Sequence, residues 1–234
     1  MFEFLASIFN TILYQPLFNT LIFLYTTIPG HDFGISIIIL TIIIRIILYP
    51  LLVKSIRSQK VLQDLQPKIE EIQKKFKNDQ EVQTKEIFAI YKKEKINPFS
   101  GLFLALLQLP ILIALYQVFW HGFDPQQLQN LYSFIRNPGE INHLFLSFID
   151  LSKPNIYIAF IAGITQFFQT KMLFKKNTKK GDAADFSKIL QNQTVYMLPL
   201  FTIFILWSLP SALGLYWATS SVLSIIQQYV VLKK

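Results

Sequence analysis

Five stretches of this chain are apolar over lengths suited to a bilayer: 35–53, 99–120, 154–173, 194–209 and 211–231. A spanning helix needs about 17–25 such residues. The fourth run is short and stops at Leu209-Pro210, so the fourth and fifth are expected to form a tight helical hairpin. Residues 54–98 carry a different pattern. Val61, Leu65, Ile69, Ile72 and Phe76 recur at spacings of 4, 4, 3 and 4, one stripe of an amphipathic helix. Asn78-Asp79 interrupts the stripe, and a second helix carries Val82, Ile87, Ile90 and Tyr91 up to Asn97-Pro98. There Asn97 is placed to cap the next span and Pro98 to occupy its first turn. Pro67, inside the first of these helices, is expected to kink it.

The first 34 residues are less regular. Leu17 to Ile28 is apolar but too short to cross, and Asn10, Gln15, Pro16 and Asn19 interrupt the stretch around its start. The pattern predicts an amphipathic helix lying in the outer interface, ended by Pro29-Gly30. The expected organisation is therefore an interfacial helix within 1–34, a first span over 35–56 and a cytoplasmic helical hairpin over 57–98. Spans two to five follow within 99–234, separated by an outer loop at 121–153 and a cytoplasmic loop at 174–193. The fold class is all-α: a polytopic membrane protein of five transmembrane helices.

Composition supports that reading: 52% of the residues are hydrophobic and 15% charged, which argues against a soluble domain. The absence of cysteine excludes disulfides, thiolate chemistry and a Cys-linked lipid anchor. Met1 to Gln15 holds no Lys or Arg, so a cleaved leader is not expected. The net charge of +8 would suit nucleic acid, but nineteen of the 22 Lys and Arg residues fall in 54–98, 171–188 and the last two positions. If spans alternate, these all lie on one side, the positive-inside pattern. It puts the N-terminus and 121–153 outside, and the hairpin, the 174–193 loop and the C-terminus in the cytoplasm.

Arg45 changes the picture most. It sits in the middle of ISIIILTIIIRIILYPLLV, and none of the five runs contains Asp or Glu. A charge at that depth costs about 2.5–3.5 kcal/mol on insertion scales, and no carboxylate is available to offset it. Thr41 precedes it by four residues and shares its helix face. Gln108, Thr165, Gln166, Gln169, Thr219, Ser220 and Ser221 are the polar groups other spans can offer. Their oxygens can accept hydrogen bonds from the guanidinium without neutralising it, so a hydrated cavity open to one side of the bilayer follows. Each Ser or Thr alone reads as an ordinary interhelical hydrogen-bonding group. His31, His121 and His143 lack metal-ligand spacing and read as outer surface residues. Trp120 and Trp207 read as interfacial anchors, while Trp217 and Tyr216 lie inside the last span. No Walker, zinc-protease or nucleophile-elbow motif occurs, so neither an enzyme nor a bound cofactor is expected. A secondary transporter using Arg45 as an anion ligand is the alternative, against which stand the missing internal repeats and proton-coupling residues.

In this order and spacing the motifs resemble one family. Arg45 with Pro50, LQPKIEEIQKKF at 65–76, IYKKEKINPFSG at 90–101, LLQLPILIALY at 106–116, ITQFFQTKM at 164–172, YMLPL at 196–200 and PSALGLYW at 210–217 are similar to the YidC/Oxa/Alb membrane protein insertases over residues 13–231. The resemblance implies five helices around a hydrophilic groove open to cytoplasm and lipid, with Arg45 as its intramembrane cation and Thr41, Gln169 and Tyr216, beside Trp217, at substrate-contact positions. With Gln108 and Ser220 from the cavity argument, these make the candidate site. It implies newly made membrane proteins and the bilayer as partners in a bacterial plasma membrane, with a Sec translocon and the ribosome as further ones, and no sequence-specific nucleic-acid binding. Three departures stand out. The large outer domain and lipidated N-terminus of some relatives are missing. Ser-Ala-Leu-Gly replaces the small-residue motif after Pro210. The tail after Val231 is too short for the usual ribosome-docking extension.

Overall fold

A computed structural model describes residues 2–97, 100–121, 127–173 and 193–233, without the side chains of 2, 5, 100–107 and 121. The chain opens with α1 (Phe2–Phe9), a π-helical turn (Asn10–Tyr14) and α2 (Gln15–Thr27). Pro16 sits in the first turn of α2, where its missing N–H costs nothing. The polar residues expected to interrupt this stretch do so only as the π turn. Asn19, one of those presumed breakers, is fully buried within α2. Ile28 turns extended and Gly30 takes φ +85°, a value that glycine alone adopts cheaply, so Pro29-Gly30 ends the helix as its sequence predicts.

α3 runs from Phe33 to Lys75 without a break. The expected boundary between first span and hairpin at 56/57 is therefore no joint: at about 1.5 Å per residue one rod of roughly 64 Å carries both. Asp32 starts it, accepting from the Ile35 N–H at 2.9 Å, and Pro50 and Pro67 lie inside it without ending it. Leu65 and Ile69 of the apolar stripe are buried, while Val61 at its start is exposed. After a turn, α4 (Gln80–Lys93) is capped by Asp79 through Val82, and Gln83 Nε2 donates to Gln73 O at 3.1 Å to hold the hairpin closed. The helix ends at Lys93, with Lys95 at φ +54°, short of the Asn97-Pro98 stop; Pro98 lies outside the described residues.

α5 (Ser100–His121), α6 (Ile156–Leu173), a π turn (Gln193–Met197), α7 (Leu198–Leu206) and α8 (Ser211–Lys233) complete the helices. Their bounds follow the apolar runs closely. Among the described residues, α3 and α6 are long and apolar enough to cross a membrane, with Gln108–Trp120 and Gln193–Leu206 as shorter apolar helices. α8 packs against both α3 and α6, and α7 packs on α6. The α6–α8 contact is close because Gly214 has no side chain: a Cβ there would meet Ile158 Cγ2 at 2.7 Å.

The 127–153 segment departs from an all-α fold. It holds a short 3-10 turn (Gln127–Asn130) and a two-residue antiparallel ribbon, β1 (Leu144–Phe145) with β2 (Ile149–Asp150), in the register Leu144↔Asp150. Helix side chains stitch this segment down. Asn19 Oδ1 accepts from Tyr132 N at 2.6 Å, Tyr25 Oη from Asn142 N at 2.9 Å, and Asp32 Oδ2 from Leu146 N at 2.6 Å. Its far end satisfies the N-terminus of α8, where Ser211 N and Ala212 N donate to Lys153 O and Leu151 O at 3.0 Å. The departure at Ser-Ala-Leu-Gly is thus a buried docking point. His143 is also no plain surface residue: it is half-buried with its ring edge-on to Phe33 at 6.2 Å.

Candidate functional site

Arg45 leaves the middle of the apolar half of α3 and reaches α8. Its Nε and Nη2 donate to Ser220 Oγ at 3.2 and 2.7 Å, and Nη2 also donates to Ser220 O at 2.7 Å and Ser224 Oγ at 2.5 Å. Ser220 and Ser224 are one turn apart, so one face of α8 offers two hydroxyls and a carbonyl to one guanidinium edge. Fork geometry suits such a site better than a flexible ammonium would. The ion pairs among the described residues, Lys85–Glu81 and Lys153–Asp150, lie elsewhere. Among the described residues the charge is therefore held by neutral oxygens alone.

The cluster extends along α8. Tyr216, one turn before Ser220, is buried and its hydroxyl accepts from Gln108 Nε2 at 2.6 Å. Tyr216 lies on the same face of α8 as Ser220 and feels the charge of Arg45. Four of the seven sequence-derived candidates thus form one cluster across α3, α5 and α8, made of two hydrogen-bonded pairs, Arg45–Ser220 and Gln108–Tyr216. The other three do not join it. Thr41 is wholly buried and donates to its own helix at Ile37 O, 2.7 Å away. Gln169 is half-buried on α6, and no hydrogen bond among the described residues ties it to Arg45. Trp217 packs against the apolar core.

Ser224 was not among the candidates, although its spacing of four from Ser220 put it on the same helix face. Further down α8, Gln227 and Gln228 are buried, and Gln227 Nε2 donates to Tyr49 O at 3.5 Å. Gln166 Oε1 on α6 and Gln228 Oε1 are buried without a hydrogen-bond donor among the described residues. Buried polar atoms are seldom left so. Buried amides thus continue the polar positions along α6 and α8 toward their C-terminal ends.

An apolar helical scaffold around a cation held in a serine cradle defines a helical integral membrane protein. The chain belongs to the 60Kd inner membrane protein family, whose model matches residues 23–234. It is 34% identical to the membrane protein insertase YidC of Fusobacterium nucleatum, over 95% of this chain and 98% of that one. It is 36% identical to the YidC of Wigglesworthia glossinidia brevipalpis over 94% of this chain, and 33% identical to that of Rickettsia akari over 95%. It spans only 36% and 39% of those two longer relatives.

Proposed function

We propose that this protein is a membrane protein insertase that works without a cofactor, moving short hydrophilic segments of client proteins across the outer half of the bilayer. In this reading five helices span the membrane, with the N-terminus outside and the C-terminus in the cytoplasm. They enclose a hydrophilic groove entered from the cytoplasm and from lipid. Arg45 attracts acidic residues of the client's polar tail. Gln108, Tyr216 and Ser220 form the polar wall beside it, with Thr41, Gln169 and Trp217 nearby, and the client's apolar helix partitions into lipid along α6 and α8. Burial of a whole client span, at about 25 cal/mol per Å² of apolar surface, supplies tens of kcal/mol before costs.

One observation carries the reading: a full positive charge amid apolar helix, bound among the described residues by Ser220 and Ser224. Such a charge is fixed in place yet not neutralised, so its field remains available to an anion. The amide oxygens of Gln166 and Gln228, without a partner among the described residues, support water, or client backbone, beside them. The relatives' shared description as insertases supports the activity.

The test compares clients whose translocated tails carry zero, one or two acidic residues, inserted by Arg45, Arg45→Lys, Arg45→Ala and Arg45→Glu proteins. Attraction predicts that Lys retains much of the activity for acidic tails, that Ala loses it, and that Glu is worse than Ala. Equal loss for neutral and acidic tails would leave Arg45 with a structural or hydrating role only.

A further inference from the structure

A cavity of about 430 Å³ lies apart from Arg45, lined by Asn10, Tyr14, Gln15, Gln117, Gln127 and Asn130. Its size falls within the range of roughly 300–1,000 Å³ typical of small-molecule sites. Among the described residues, five carboxamides and a phenol line it, with no charged group. The elements that bring them together are the N-terminal π turn, α2, α5 and the 3-10 turn.

The lining is built and not incidental. Tyr14 Oη donates to Gln127 Oε1 at 3.2 Å and Asn130 Nδ2 donates to the same oxygen at 3.4 Å. That oxygen is engaged by protein, which leaves the Gln127 amide hydrogens to meet a ligand. Behind the cavity, buried Asn19 donates to Gln15 O at 2.9 Å and Asn130 O at 3.4 Å, fixing two lining residues from below. The Gln15 N–H donates to Asn10 O, closing the wider π turn, a departure frequent at functional sites.

Chemistry narrows the ligand. The lining mixes apolar surface with carboxamides: a wholly apolar guest would leave the amides unpaired, and a charged one would find no counter-charge among the described residues. A carboxamide presents a donor and an acceptor side by side, the pattern of adjacent hydroxyls on a sugar or polyol. Phe4 and Ile8 of α1 and Ile12 of the π turn stand exposed on the same N-terminal segment, an apolar strip suited to acyl chains. We propose that this cavity binds an uncharged polyhydroxyl group of hexose type. A glycolipid headgroup and a free sugar share that chemistry. Assignment of a lipid to the outer leaflet, though not the site itself, rests on the orientation proposed above.

The test uses the full chain, purified in a detergent without a sugar headgroup and placed in phosphatidylcholine nanodiscs. Monoglucosyl diacylglycerol, plain diacylglycerol and phosphatidylglycerol are offered in turn, and retained lipid is counted by native mass spectrometry. The wild type should retain the glucosyl lipid about tenfold over diacylglycerol, the equivalent of one or two net hydrogen bonds. Gln117→Leu and Gln127→Leu should each remove most of that preference. Asn10→Ala, at an exposed position, should weaken it and serves if the Leu variants fold poorly. Competition by millimolar glucose identifies a free sugar as ligand, and its absence identifies the lipid. Equal retention of glucosyl and plain lipid with no response to glucose, preference for phosphatidylglycerol, or variants that bind like wild type would overturn the proposal. Insertion by Gln117→Leu should stay normal, so failure here is separable from failure of the insertase reading.

Discussion

Ser220 and Ser224 together accept every hydrogen bond described for Arg45, so removing them differs in kind from removing the arginine. Hydrogen bonds to a charged group contribute about 1.5–3 kcal/mol each, and removing both hydroxyls leaves a half-buried charge with the Ser220 carbonyl as its one described acceptor. Arg45→Ala takes the charge away and leaves two hydroxyls that can turn to their own helix. The Ser220→Ala/Ser224→Ala protein should therefore unfold earlier than Arg45→Ala, and adding Arg45→Ala to the double variant should restore stability. Thermal unfolding of the three proteins in one detergent decides this; a triple variant less stable than the double would refute it. In the 127–153 segment, burial holds the His143 imidazole below its ordinary value against the pull of Asp150. The neutral ring is favoured in the folded state, so its contribution to docking is present above about pH 6.5 and is lost as pH falls through the lower folded value. Exchange protection at residues 144–151, corrected for intrinsic rates, should fall between pH 7.5 and 5. His143→Leu should flatten that dependence.

The hairpin is a single element with the first apolar run, and that continuity bears on what it does. Replacing 57–96 with a flexible linker should leave the remaining helices folded, because α4 packs on α3 alone among the larger helix contacts. Client insertion should drop severalfold or more; a normal rate would reduce the segment to a spacer. The apolar periodicity that marked the hairpin was legible because one stripe of Leu65 and Ile69 faces inward. Its continuity with the span was not, since the change from apolar to charged composition after Val53 reads as a boundary between two elements. At the site, Arg45 was legible as an unpaired charge, and the surrounding Gln and Ser as the available acceptors. Which of them meet it depends on the rotation of α8, and that is set by close approach at Gly214. Gly214→Val should push α8 from Ile158, lower the unfolding temperature and disturb the Arg45 cradle, seen as weaker crosslinking between cysteines paired across α3 and α8. The hydrogen bonds of Asn19, Tyr25 and Asp32 to the outer segment were invisible, because they join residues more than a hundred positions apart.

Across the whole molecule, the Lys and Arg asymmetry predicts orientation independently of any packing detail. A single cysteine at exposed Glu140 should react with an impermeant maleimide on intact cells, and one at exposed Gln80 only after permeabilisation. Labelling of Gln80 from outside would reverse the orientation and remove the cytoplasmic groove with it. The unbroken α3 then has a mechanical consequence. Lys75 stands 25 residues beyond Pro50, roughly 38 Å along the axis at 1.5 Å each, so a 10° tilt about that proline swings the tip by about 7 Å. Read in reverse, the lever turns a broad sideways push on the hairpin into a fine adjustment of Arg45, five residues on the other side of the same fulcrum. Anything that docks on the tip of the hairpin acquires a mechanical handle on Arg45.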